Sequence, residues 1–186
     1  MFLKSKLAEN ISQVETSEEE QIWVVMSWLP RRRLAGVYIP PVTPYYRPAQ
    51  YGALSEHNVG SDSVIVLGDC NARVGSPNLL DNNDTPYQYQ DVKGDVLNEH
   101  GRTLMNICND NDMVVVNHLC RQGRLFWGGL SFRRRDVCSS EMDLCIEKGT
   151  CVDNITDVHV DHDVCFANSL KIFTLNLPVF VIQYIR

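Results

Sequence analysis

Short apolar runs divided by longer polar stretches set the elements of this chain. Residues 21–29 (QIWVVMSWL) are bulky and β-branched and predict a strand stopped by Pro30. Residues 34–39 (LAGVYI) predict a second strand, closed by Pro40 and Pro41. A Pro- and Tyr-rich stretch then leads to a short helix near 48–58. Residues 63–67 (SVIVL) form a continuous apolar run of strand length, the pattern of a central strand buried on both faces. The run ends at Gly68 and Asp69, and a polar region rich in Asn, Asp and Gly follows over 75–97. Leu97, Leu104, Ile107 and Cys108 recur at roughly helical spacing, which predicts a helix over 98–109 with Asn98 as its N-cap.

Further strands are predicted at 113–116, 125–133, 142–146 and 151–160. Residues 2–11 fit a strand or a short helix, and the polar, acidic residues 13–20 fit a turn or an exposed strand. Strands alternating with one or two helices, then strands in series, predict an α/β mixed sheet packed in layers.

Composition narrows this. The 186 residues are enough for one domain with a sizeable core, and 44% hydrophobic with 22% charged residues excludes wholesale disorder. The net charge of −6 means that any grip on a phosphate backbone comes from local clusters. Two exist, Arg31-Arg32-Arg33 and Arg133-Arg134-Arg135, although such runs are ordinarily solvated loops or strand ends. Seven cysteines without a CxxC, and no secretory signal at the start, predict reduced thiols in an intracellular protein, nuclear or cytoplasmic. Cys138, Cys145, Cys151, His159, His162 and Cys165 are spaced too irregularly for a structural zinc site, and core thiols are the simpler reading. The apolar stretch 170–182 is too short to span a bilayer, so no membrane contact is expected.

Three acidic clusters follow or begin apolar runs: Asp69 to Arg73 (DCNAR), Glu141 to Asp143 (EMD), and Asp157 to His162 (DVHVDH). Each alone is ordinarily a turn, a backbone cap or surface polarity. Together they supply what phosphodiester hydrolysis needs: hard oxygen ligands for a divalent ion, a carboxylate to orient water, and a histidine held by a carboxylate.

The order VYIPP (37–41), VIVLGDCNARVG (64–75), NEHGRTLMNICNDNDMVVVN (98–117), SSEMDL (139–144) and VDHDV (160–164) resembles the endonuclease/exonuclease/phosphatase superfamily. Within it, the GDxNARVG form (68–75) and the YIPP stretch (38–41) resemble endonuclease domains of LINE-type retrotransposons and craniofacial development protein 2-like proteins. The resemblance covers residues 1–165, the C-terminal part of such a domain, and leaves 166–186 as a divergent apolar tail. It implies a DNase I-like α/β fold, a partial four-layer sandwich of two mixed β-sheets with flanking helices. It also implies a hydrolase that cleaves DNA phosphodiesters with Mg²⁺ (or Mn²⁺). By position, Asp69 places the attacking water and helps bind metal, Asn71 holds water or phosphate, and Asp161 binds metal. His162 contacts the scissile phosphate, Asp143 orients His162, and Tyr38 approaches the phosphate. Arg73 resembles the basic residue after the GDxN box, where a structural salt bridge is an equal reading.

The departures set further expectations. The family's metal-binding Glu and an early Asn belong to a part of the domain before the match, and Glu18, Glu19 and Glu20 precede a strand rather than end one. Val160 stands where the family has Ser. The chain is therefore expected to be a weak nuclease, completed by a longer isoform or a reverse-transcriptase portion, or else an inactive retrotransposon-derived remnant or binding module. A phosphatase of inositol phosphates or sphingolipids is a further member activity.

Overall fold

The structure, a computed structural model, describes residue 9 and residues 11–17, 21–26, 29–41, 49–60, 63–75, 88–89, 96–121, 124–125, 132–134, 137–140, 143–149, 157–161, 172–176 and 181–185. Side chains are described for 9, 11–16, 21–25, 32–41, 50–60, 63–75, 96–117 and 144–149.

The apolar run after residue 62 becomes β4 (Ser63–Asp69), buried at every position. It lies inside a six-stranded mixed sheet with β1 (Ile11–Ser17), β2 (Gln21–Met26), β3 (Leu29–Tyr38), β6 (Met113–Val115) and β11 (Asp143–Lys148), in the order β1-β2-β3-β4-β11-β6. Among the described strands only β3 and β4 pair in parallel. A parallel pair needs a crossover rather than a hairpin, and α1 (Ala49–Asn58) lies in that connection.

Side-chain alternation divides the sheet into two apolar faces. Ala35, Val37, Val64, Val66, Leu144 and Ile146 pack in one core with Tyr51 and Leu54 of α1 and with α2 (Glu99–Asp110). On α2 the buried residues His100, Leu104 and Cys108 form a stripe at four-residue spacing. Val24, Leu34, Ile65, Leu67 and Cys145 alternate with the first set and are buried as well. Each fully buried Leu or Ile side chain stabilises the fold by roughly 1.5–3 kcal/mol. The two covered faces explain why β4 reads as an uninterrupted apolar run.

Smaller antiparallel sheets complete the described elements. One holds β5 (Gln88–Tyr89), β7 (Leu119–Arg121) and β8 (Arg124–Leu125), and another pairs β9 (Phe132–Arg134) with β10 (Val137–Ser140). In the third, β12 (Asp157–Asp161) pairs with β13 (Ile172–Asn176), which pairs with β14 (Val181–Ile185). The apolar tail thus adds strands to the one that carries Asp161. Among the described residues no helix is long and apolar enough to cross a membrane.

The sequence pattern misplaced Pro30. It is an internal residue of β3, and the first arginine triplet lies in the same strand near its start. Met26 pairs with Leu29 but Val25 with Arg33, so residues 30–32 have no partners on β2. Such an irregularity is where a strand tolerates a residue without an N–H. Arg33 Nη1 lies 2.6 Å from His57 Nδ1 and 3.8 Å from the Glu15 carboxylate. His57 stacks on Trp23 with ring centroids 3.9 Å apart.

At the start of β4, opposite the Asp69 end, the buried Glu147 carboxyl accepts a hydrogen bond from Ser63 Oγ at 3.2 Å. Its Oε2 has no hydrogen-bond partner among the described residues. Burial pushes this carboxyl up to about 8, against the lowering influence of Ser63 and Arg32.

Candidate functional site

β3 and β4 run parallel and end in step, with Tyr38 the partner of Asp69. Asp69 is in turn the partner of Asp143 across the antiparallel β4/β11 ladder. Tyr38, Asp69 and Asp143 therefore occupy one row at one edge of the sheet. This edge lies beyond the C-terminal ends of the parallel strands, where open α/β sheets form their ligand crevices. Tyr38 is 38% exposed and Asp69 fully buried, so a hydroxyl at the surface stands beside a carboxylate at the bottom of the row.

The turn beyond β4 is fixed by a hydrogen bond at almost every step. Gly68 must lie against Val37, where an added Cβ would come 1.9 Å from the Val37 carbonyl oxygen, at a φ of +154°. The Asp69 carbonyl accepts from Ile39 N at 2.8 Å. Asp69 Oδ1 accepts from Asn71 N at 2.9 Å, closing a local turn of the kind short acidic side chains favour. Asn71 takes a left-handed φ of 46°, which Asn tolerates better than most residues. Its Nδ2 donates to Ile39 O at 2.8 Å.

Asn98 ties this turn to α2. Its Oδ1 caps the helix by accepting from Gly101 N at 2.7 Å and also accepts from Arg73 N at 3.0 Å. Its Nδ2 donates to Asn71 O at 3.0 Å, and its backbone N–H to Arg73 O at 3.2 Å. Gly101 allows the approach, since a Cβ there would meet Arg73 O at 1.9 Å. From α1, the Tyr51 hydroxyl donates to Cys70 O at 3.0 Å and lies 2.9 Å from His100 Nδ1. Burial pushes the His100 pKa below 6.5, against the Cys70 carbonyl and Glu99, which raise it.

Four of the residues singled out from the sequence, Tyr38, Asp69, Asn71 and Asp143, thus come to one edge. The Asp143 side chain is outside the described set. Asp161 ends β12, which lies against the 3₁₀ turn Val116–His118 next to β6. Its side chain, and all of His162, lie outside the described residues. Among the described residues no three His, Cys, Asp or Glu side chains group to hold a metal ion. The sequence pattern found Asn98 only as a cap, and gave no role to Tyr51 or His100. A signal was present, because His100 is a polar residue on the same stripe as Leu104 and Cys108.

No family model matches the chain, and no curated protein sequence does. Solved structures do match. The 3'-5' exonuclease NExo from Neisseria meningitidis is similar with a TM-score of 0.61 at 14% identity, over 90% of this chain and 71% of that one. A structure of the 3' phosphatase NExo bound to product DNA hairpin matches with a TM-score of 0.60 at 13% identity, with the same coverage of 90% and 71%. The AP endonuclease LMAP from Leishmania major matches with a TM-score of 0.60 at 13% identity, over 92% of this chain and 62% of that one. At such identities the likeness establishes the fold, an α/β fold of the DNase I-like kind with its six-stranded mixed sheet and helices.

Proposed function

We propose that this chain is a phosphodiester hydrolase acting on DNA with a divalent metal ion, Mg²⁺ or Mn²⁺, and that its site is the edge formed by Tyr38, Asp69, Asn71 and Asp143. The observation that carries the reading is the register Tyr38–Asp69–Asp143, which brings three distant, chemically apt residues into one row. The shared fold with structures described as a 3'-5' exonuclease, a phosphatase bound to product DNA hairpin and an AP endonuclease supports it.

Oxygen donors such as Asp69 and Asp161 suit a hard divalent cation, so the chemistry of the donor set fits Mg²⁺ or Mn²⁺. An ion held there would offset the charge that builds on phosphoryl oxygens. Asp69 can orient the attacking water through its carboxylate. Asn71 has a second amide hydrogen to offer a phosphate, one being committed to Ile39, and its Oδ1 can accept from a water. Tyr38 stands at the exposed rim, where its hydroxyl can meet the phosphate. His162, oriented by Asp143, would contact the scissile phosphate from the segment after β12. The lineage within the superfamily is that of the LINE-type endonucleases.

Hydrolysis of bis(p-nitrophenyl) phosphate against metal concentration tests the reading. Turnover that saturates with Mg²⁺ or Mn²⁺ and is lost in Asp69→Ala supports it. No turnover at any metal concentration, from a chain that melts cooperatively, overturns it and leaves a binding module.

A further inference from the structure

The peptide between the two chemistry-bearing residues of the turn, Asp69 and Asn71, belongs to Cys70, which is fully buried. Its carbonyl is met from α1 by the Tyr51 hydroxyl at 3.0 Å. That hydroxyl also lies 2.9 Å from His100 Nδ1, on the first turn of α2. A phenol has one hydrogen, and here it points at the carbonyl. The His100 ring acts on the same carbonyl, and with its hydrogen on Nδ1 it can also donate to the Tyr51 oxygen. Tyr51 of α1 and His100 of α2 thus converge on the Cys70 carbonyl and meet each other there, a polar group that spans both helices and ends on the turn. Both rings are almost wholly buried, with centroids 5.6 Å apart in an edge-on arrangement. Phe and Leu would fill this space without burying polar groups, and buried polar groups cost free energy unless they are bonded. A polar pair placed here, aimed at one carbonyl, acts on the position of that carbonyl.

We propose that Tyr51 and His100 are positioning residues, a buried hydrogen-bonded strut that sets the placement of Asp69 and Asn71 through the Cys70 peptide. The proposal rests on the hydrolase reading for its catalytic consequence, but not for its structural one. The bonds that the strut controls are the neighbouring ones: Asn71 N to Asp69 Oδ1, Ile39 N to Asp69 O, and Arg73 N to Asn98 Oδ1. Releasing the carbonyl loosens these three amides and leaves the strand interiors as they were. His100 can be replaced conservatively, since Asn carries a side-chain N–H at the place of Nδ1.

Amide hydrogen exchange by NMR on the full chain, alongside phosphodiester hydrolysis, tests this in Tyr51→Phe, His100→Leu and His100→Asn. In Tyr51→Phe and His100→Leu, the Ile39, Asn71 and Arg73 amides should exchange about tenfold faster, the change implied by loss of roughly one hydrogen bond. Leu67, Val66 and Trp23 should keep their rates. His100→Asn should return the three amides toward the wild-type values. In hydrolysis, kcat should fall about tenfold or more with KM unchanged in the first two variants, since misplaced groups cost rate rather than binding. Unchanged exchange at the three amides would overturn the proposal. So would an acceleration shared equally by the strand interiors, the mark of a pair that only fills the core. A wild-type chain without hydrolysis would overturn the hydrolase reading and not the strut, which the exchange rates decide by themselves.

Discussion

Replacing Glu147 by Gln should stabilise this protein at alkaline pH and leave it unchanged in acid. The carboxyl is fully buried on β11, bonded on one oxygen to Ser63 and on the other to nothing among the described residues. Burial raises it from an ordinary 4.5 to about 8, so the folded state holds the proton that the unfolded state releases. Stability from this group is therefore full below pH 4.5 and is lost as pH rises through about 8. At about 1.4 kcal/mol per unit, the whole loss is about 5 kcal/mol, with about 3 kcal/mol gone by pH 7. That is a large share of the ~5–15 kcal/mol that holds a typical domain folded. Gln mimics the protonated acid and has nothing to titrate. Urea unfolding of wild type and Glu147→Gln at pH 5 and pH 8.5 measures the difference. The variant should lie within about 1 kcal/mol of wild type at pH 5 and have a midpoint higher by about 1.5–4.5 M at pH 8.5, given slopes of about 1–3 kcal/mol per M. A gap between the two proteins that does not change with pH would refute the reasoning, because it would mean the carboxyl titrates as an exposed one does.

Other expectations concern the turn and the core. Asn98→Ala removes a helix cap and a tie to Asn71, and should lower stability by about 1–2 kcal/mol in chemical unfolding; Asn98→Asp should recover the cap but not the donor to Asn71. Gly101→Ala drives a methyl into the Arg73 carbonyl and should cost about 2–4 kcal/mol, seen as a lowered Tm, whereas an undiminished Tm would show that α2 does not dock on this turn. Cys70, Cys108 and Cys145 are buried thiols, Cys108 pushed up to about 12 by burial, so brief iodoacetamide treatment of the native chain should leave all three unlabelled by mass spectrometry.

The sequence revealed the site's components better than their meeting. An uninterrupted apolar run marked β4 as central because both its faces are covered, and the polar Gly68-Asp69 that follows marked the edge where chemistry sits. Asn98 was legible as a cap, because capping is a local event read from one residue and the helix after it. Pro30 was misread because a strand stop and a strand irregularity look alike until the partner strand is known. The register of Asp143 on Asp69 joins residues far apart in the chain, and nothing local encodes such a pairing. Glu147 hid for a related reason: in DLCIEK both alternating faces are buried, so alternation no longer separates inside from outside. Tyr51 and His100 were buried polar residues inside helical stripes, visible as exceptions only once the stripes were packed.

The most direct measurement of the central claim is nicking of supercoiled plasmid by the purified chain with Mg²⁺ or Mn²⁺, beside Asp69→Ala, Asn71→Ala and His162→Ala. The account expects slow, metal-dependent conversion to open circles that EDTA abolishes and that all three variants lose while still melting cooperatively. Nicking that survives Asp69→Ala, or a folded wild type that never nicks at any metal concentration, would contradict it.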